Sequence, residues 1–259
     1  MDALKIAATG MLAQEKNVSV ISNNVANVNT TAYKRERVSF SDLMYQTDKA
    51  PGSSTSSTGT IAPTGIQSGL GVKVGATYKI FNQGTVINTD ATYDMSIQGR
   101  GFFRITMPDG TDSFTRDGSF EVSDTGDLVT KQGYAVSPGI NIPTNTVNVT
   151  IADDGTVTGK LNDVITNFGQ ITTVMFQNEV GLENIGDNFY KESLASGTPV
   201  DVVPGEDGSG AILQMHLEGS NVSAIEGITD LISAQRAYEL NSKIITTADE
   251  MMTAVSQMR

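Results

Sequence analysis

Apolar residues recur with a seven-residue period at both ends of this chain and with a near two-residue period in between. Leu4, Met11, Val18 and Val25 fall at every seventh position; Ala7, Ile21 and Val28 sit three residues on from three of them, and Gln14 interrupts that second series. Both core positions of a heptad are then largely apolar, which predicts an amphipathic helix with a seam along one side. It should run for about 24 residues, about 36 Å. Asn23, Asn24, Asn27 and Asn29 follow, with side chains that compete with the backbone for hydrogen bonds and so predict a stop. At the far end Leu231, Tyr238, Ile245 and Met252 form a matching series, with Ala234, Ala248 and Val255 three positions further on. Asn241 breaks that second series: it either fixes the register of a seam or faces solvent. Ser220-Asn-Val-Ser223 predicts the cap of this second helix.

Between the helices the period changes. Val72 to Ile87 alternates, and Phe102 to Thr106, Ser119 to Val122, Asp127 to Thr130, Val147 to Ile151 and Ile171 to Phe176 are rich in β-branched and aromatic residues. Asp109-Gly110, Asp117-Gly118, Thr125-Gly126 and Asp154-Gly155 read as hairpin turns between them. A polar bend from Pro204 to Gly210 leads to a strand over Ile212 to Leu217. From Asp48 to Gly71 the composition shifts to Ser, Thr, Gly and Pro, which reads either as a free linker or as an insertion that becomes ordered against a partner. The fold class predicted is α+β: N- and C-terminal amphipathic helices paired as a coiled coil, flanking an antiparallel β-rich central domain.

The run Ile21-Ser-Asn-Asn-Val-Ala-Asn-Val-Asn-Thr-Thr-Ala-Tyr33-Lys34-Arg35 resembles the N-terminal signature of the bacterial flagellar rod and hook axial protein family. Gln235-Arg-Ala-Tyr-Glu-Leu-Asn-Ser-Lys243 resembles its C-terminal signature, and the block Asp94-Met-Ser-Ile-Gln-Gly-Arg-Gly-Phe-Phe103 is similar to a third, so the resemblance covers nearly the whole chain. The family motif thus falls on Asn23, Asn24, Asn27, Asn29, Tyr33, Lys34, Gln235, Arg236, Tyr238 and Asn241. The family usually carries Gly where this chain has Ala32; an Ala at positive φ costs roughly 1 to 2 kcal/mol, so the turn either differs or is strained. The resemblance implies an axial core from residues 1–33 and 222–259, a connecting domain from 34–93 and 208–221 with the insertion at 48–71, and an outer β-rich domain at 94–207. Its seam would consist of Leu4, Met11, Val18, Ile21, Val25, Leu231, Tyr238, Ile245 and Met252.

By the same resemblance the function is structural: a subunit of the distal rod of the flagellar basal body, polymerising into a helical shaft that passes torque from motor to hook. The insertion and the block Tyr134 to Pro143 favour the distal rod over the proximal rod proteins and the longer hook subunits, which are the alternatives within the family. Implied partners are further copies of the chain, the proximal rod proteins, the hook protein, the surrounding P and L rings and the flagellar type III export apparatus. The implied location is the rod that spans the periplasm, reached without a cleaved signal peptide. Read by composition alone, the N-terminus carries no signal peptide and would place the chain in the cytoplasm, so the two readings differ.

Charge and composition narrow the picture. Of 259 residues 38% are hydrophobic, enough for a substantial core. A formal charge of −12 opposes nucleic acid and anionic membrane, because a phosphate backbone would be repelled; the basic cluster Lys34, Arg35 and Arg37 is too small to reverse it. With no cysteine there is no disulfide framework, thiolate metal site or cysteine nucleophile. His216, the single histidine, sits in an apolar run and reads as a strand residue with a structural hydrogen bond. The acidic turns Asp109 to Asp112 and Asp124 to Asp127 lack the spacing of a calcium loop. Gly99 and Gly101 read as a bend in a sheet, since no helix and no Gly-Lys-Ser follows as in a phosphate loop. No enzyme, cofactor or metal is therefore predicted. A wall-acting or carbohydrate-binding β protein is the alternative from another class.

Overall fold

The computed structural model describes residues 2–52 and 64–257. Most of the Ser-rich half of the insertion read at 48–71 lies outside the described residues. Two long helices bracket twenty strands among the described residues. In chain order these are α1 (Asp2–Ala26), β1 (Glu36–Asp42), β2 (Tyr45–Lys49), β3 (Ile66–Gly69), β4 (Val72–Lys79), β5 (Val86–Asn88), β6 (Met95–Gln98) and β7 (Phe102–Thr106). There follow β8 (Asp112–Thr115), β9 (Phe120–Val122), β10 (Leu128–Thr130), β11 (Ala135–Val136), β12 (Thr146–Ile151), β13 (Thr156–Leu161), β14 (Val164–Gln170) and β15 (Thr173–Met175). The last elements are β16 (Glu183–Gly186), β17 (Phe189–Lys191), β18 (Val200–Val202), β19 (Ala211–Gln214), β20 (His216–Glu218) and α2 (Ala224–Gln257). The predicted class, paired terminal helices around an antiparallel β-rich middle, is the one observed.

The chain divides into two compact units. The first comprises residues 1–26, 36–78 and 223–259. In it α1 runs through Asn23 and Asn24 and ends at Ala26, just before Asn27, and α2 starts after Ser223, whose Oγ accepts the Glu226 N–H at 3.4 Å, the serine's half of a Ser-x-x-Glu cap. The helices run antiparallel, since Gly10 meets Asn241 while Gly227, further back along α2, meets Val25 near the end of α1. α1 is buried on two sides. One side carries the heptad seam toward α2; the other, with Thr9, Ala13, Val20 and Asn24 at helical spacing, lies toward β1 and the turn at Gly71, where Thr9 Oγ1 accepts the Val72 N–H at 3.3 Å. β1 pairs with β4, and β2 with β3.

The second unit comprises residues 27–35 and 79–222. Its main antiparallel sheet has the order β16-β17-β8-β7-β11-β10-β9, with β15 bridging β7 and β18. β7 is its pivot: Phe102 and Phe103 are adjacent and point to opposite faces, so that one enters each of two cores. Phe103 joins the larger, aliphatic core of Met95, Ile97, Ile105, Leu128 and Ile171. Phe102 joins Phe114, Phe176 and Tyr190, whose rings meet edge to face at 4.8 to 5.8 Å. This double burial explains why the strand reads as an unbroken apolar pair.

Three of the four expected Gly turns close hairpins, β7–β8, β9–β10 and β12–β13. Asp117-Gly118 does not: β8 and β9 have different partners, and Gly118 is needed because a Cβ there would lie 1.6 Å from Met95 O. The hairpins β13–β14 and β16–β17 turn instead on Asn162-Asp163 and Asp187-Asn188, all at positive φ, so the Asp-Gly or Thr-Gly pair that marks the other hairpins is missing there. The predicted strand Ile212 to Leu217 is two strands, broken at Met215 (φ 61°), where the chain crosses from its pairing with β6 to its pairing with β5.

Candidate functional site

Each unit contributes one candidate. In the first unit it is the helical seam. Ile21 is buried, and Leu4, Met11, Val18, Val25, Leu231 and Ile245 are half-buried; Tyr238 and Met252 are more than two-fifths exposed. Small residues set the approach of the helices: Ala7 on α1, Ala234 and Ala248 on α2 are among the most buried, and a Cβ on Gly227 would lie 2.7 Å from Val25 Cγ2. Asn241 lies in the seam against Gly10. Of the family-motif residues in this unit, Asn24 is buried and does a strand's work with its side chain: Nδ2 donates to Glu36 O and Oδ1 accepts from Glu36 N, both at 2.8 Å. Asn23, Gln235 and Arg236 lie on the exposed side of their helices.

A second apolar stripe runs along α2. Leu240, Ile244, Met251 and Val255, spaced four, seven and four residues apart, are exposed by 47 to 66%. At that spacing they line one side of the helix beside the seam. The heptad series takes Val255 for the seam, whereas the structure leaves it exposed in this second stripe; Leu240 and Ile244 fall outside the series, so the stripe as a whole was not read from the sequence.

In the second unit the candidate is a cluster of three buried charges. Lys34 Nζ donates to Glu218 Oε1 at 2.5 Å and to Asn82 O at 2.9 Å. Arg116 Nε donates to Glu218 Oε2 at 2.9 Å, and the Gly84 N–H completes Oε1 at 2.9 Å. The rest of the guanidinium is held by main-chain carbonyls: Gly101 O at 2.9 Å, Gly99 O at 2.8 Å and Ile97 O at 3.4 Å. Gly99 and Gly101, at φ 132° and 130°, form the expected sheet bend, and their carbonyls point at Arg116. Burial would by itself raise the Glu218 carboxyl, but Arg116 and Lys34 outweigh it and hold the group below its ordinary range. Burial, and then the like charge of Arg116, push Lys34 below its ordinary value, against the pull of Glu218.

Lys34, by sequence part of the basic cluster with Arg35 and Arg37, is fully buried, because a carboxylate from the far end of the domain meets it. The chain around it is held at every step. Asn188 Nδ2 donates to Thr31 O at 2.9 Å, the Ala32 N–H to Glu218 O at 2.7 Å, the Arg35 N–H to Asn221 Oδ1 at 2.7 Å, and the Ile80 N–H to Arg35 O at 2.9 Å. Tyr33 is buried with the Lys79 ammonium 5.0 Å from its ring centre. Asn27 accepts the Thr30 hydroxyl at 3.1 Å, and Asn29 is exposed in the same turn. Ala32 adopts φ 56°, so the turn is the left-handed one and the alanine is strained. His216 lies at the start of β20 with Nδ1 2.6 Å from Gln214 O, a structural hydrogen bond as expected.

Comparison with known proteins fixes the class. Residues 4–34 match the family described as flagella basal body rod protein, residues 96–159 the flagellar hook protein FlgE/F/G D1 domain, and residues 213–258 the flagellar basal body rod FlgEFG protein C-terminal family. Such a chain is an axial component of the bacterial flagellum, a structural protein and not an enzyme. Full-length relatives resolve the member. The flagellar basal-body rod protein FlgG of Caulobacter vibrioides is 51% identical with all of both chains covered, and that of Borreliella burgdorferi 44% identical over 100% of this chain and 99% of its own. The flagellar hook protein FlgE of Helicobacter mustelae is 45% identical over only 49% of this chain and 28% of its own. The chain belongs to the FlgG family of flagellar basal-body rod proteins, as a structural subunit of the distal rod.

Proposed function

We propose that copies of this chain polymerise into the distal rod by burying the bare stripe of α2, and that the resulting shaft passes torque to the hook. The observation that carries this reading is the row Leu240, Ile244, Met251 and Val255, standing in water beside the seam that α2 shares with α1. Burying each such side chain stabilises by about 1.5 to 3 kcal/mol, so neighbouring helices are the natural cover in a self-assembling protein. In the assembled rod the axial core would be residues 1–33 and 222–259, the connecting domain 34–93 and 208–221, and the outer domain 94–207. The insertion at 48–71 packs between subunits in this reading; the exposed β2–β3 ribbon, with Tyr45 and Ile66 bare, supports it, since two isolated strands are marginal alone. Neighbours along the axis are the proximal rod proteins and the hook protein, and the P and L rings surround it. The chain reaches them through the type III export apparatus.

Ile244→Asp tests the reading. The variant should keep the β domain's melting temperature and lose polymerisation, read by sedimentation of purified protein and by motility of a complemented deletion strain, because assembly would bury an unpaired carboxylate. Wild-type rod yield from this variant would defeat it.

A further inference from the structure

We propose that residues 79–222 form a ready-made receptor for the strap 31–35, and that the strap seats last, with the Lys34 ammonium as its anchor and the Glu218 carboxylate as its socket. The proposal goes beyond assembly: it concerns how one subunit closes on itself.

The charge balance is lopsided. Without Lys34, the receptor already has one cation and one anion in contact: Arg116 Nε occupies Glu218 Oε2, the carbonyls of residues 97, 99 and 101 fill the remaining guanidinium, and the Gly84 N–H occupies Oε1. An empty socket is therefore a neutral, hydrogen-bonded pair. The strap has no such independence. A fully buried ammonium whose other acceptor among the described residues is Asn82 O alone would be left uncompensated if Glu218 were absent. Seating also converts the pair into two cations around one anion; of the two, Arg116 is held besides by the carbonyls of residues 97, 99 and 101, Lys34 only by Asn82 O among the described residues. The order follows: Arg116 and Glu218 close first, Lys34 enters afterwards.

Backbone geometry agrees. Beside the local Tyr33 N–H to Thr30 O bond at 3.3 Å, the contacts of the strap given above reach residues far along the chain, at 79–82, 188 and 218–221, and Lys34 and Glu218 are 184 residues apart. Ala32 stays in its left-handed conformation with its N–H on Glu218 O, and a strained residue keeps such a conformation only where its surroundings impose it. An unseated strap would relax at Ala32, so it is not preformed, whereas its receptor is. Docking of the N-terminal motif is thereby made conditional on the arrival of β20.

Hydrogen exchange on the full chain tests this. Lys34→Met should speed amide exchange across 31–35 by about tenfold or more while the β6–β11 strands keep wild-type protection, since the Arg116–Glu218 pair survives. Glu218→Gln, which leaves two buried cations, should open the strap and β20 together. In Lys34→Ala, added n-propylammonium should slow strap exchange again and n-propanol should not, because the socket recognises an ammonium and not merely filled volume. Unchanged exchange at 31–35 in Lys34→Met, an equal loss of protection in β6–β11, or equal rescue by the alcohol would each overturn the proposal.

Discussion

Asn241 on α2 sets its side-chain amide against the bare backbone of Gly10 on α1, so close that a Cβ at position 10 would lie 2.9 Å from Nδ2 and 3.2 Å from Cγ. Asn241 therefore lies half-buried in the seam, and the glycine is there for proximity. A larger side chain at position 10 must push the helices apart. Gly10→Leu should destabilise the helical pair by about 1 to 3 kcal/mol, the usual cost of overpacking. Thermal melting followed by helical circular dichroism would reveal it as an early loss of helix with an unchanged β transition.

Ala32 offers a test in the opposite direction. Glycine relieves roughly 1 to 2 kcal/mol of left-handed strain. Against this stand the loss of a fully buried methyl, about 0.8 kcal/mol, and a more flexible unfolded chain, about 0.4 to 1 kcal/mol. Ala32→Gly should thus be tolerated, within about 1 kcal/mol of wild type. Ala32→Val, β-branched at φ 56°, should cost clearly more. Denaturant midpoints of the two variants separate these outcomes.

Asn24 satisfies both backbone groups of Glu36 with one carboxamide. Asn24→Ala leaves a donor and an acceptor without their partner and should cost about 1 to 3 kcal/mol. Faster exchange of the Glu36 amide in this variant, with β7 unaffected, would locate the loss at the start of β1.

Acid should act through Glu218. Its folded-state pKa is held below the ordinary 4.5, so the group contributes stability that is complete above that value and is lost as pH falls through the lower, folded one. Glu218→Gln should flatten this acid limb and, by stranding two cations, lower stability at neutral pH by about 3 to 5 kcal/mol. Urea titrations at a series of pH values measure both.

Asp117 has the reverse sign. Burial raises its pKa, helped by the nearby Asp94 and opposed by the Ser119 N–H at 3.0 Å, so keeping it ionised costs stability above the raised value. Asp117→Asn should stabilise by up to about 1 kcal/mol at neutral pH, because an amide oxygen can still accept from Ser119. The gain should shrink on acidification, where the wild-type carboxyl is itself neutral.

Periodicity made the helices legible, because a seven-residue repeat survives whatever the partner is. Gly-containing turns exposed three hairpins for the same local reason. What remained hidden was long-range. In the sequence Glu218 merely follows the strand Ile212 to Leu217, Arg116 precedes the turn Asp117-Gly118, and Lys34 stands beside Arg35 and Arg37. Only folding brings the three within hydrogen-bond reach, and nothing local distinguishes a buried charge from a solvated one. The second stripe of α2 was visible residue by residue, yet its meaning depended on knowing which side α1 covers.

Phe102 and Phe103 stand back to back on β7, and the wall they share makes the two cores accomplices in stability. Neither the aliphatic side nor the aromatic side can empty without withdrawing a panel from the other. A cavity cut at Phe102 should be felt by residues that never touch it, and the domain should melt in one step however its two halves are probed. For a subunit built into a turning shaft, this means that twist applied to one face of the sheet is resisted by both.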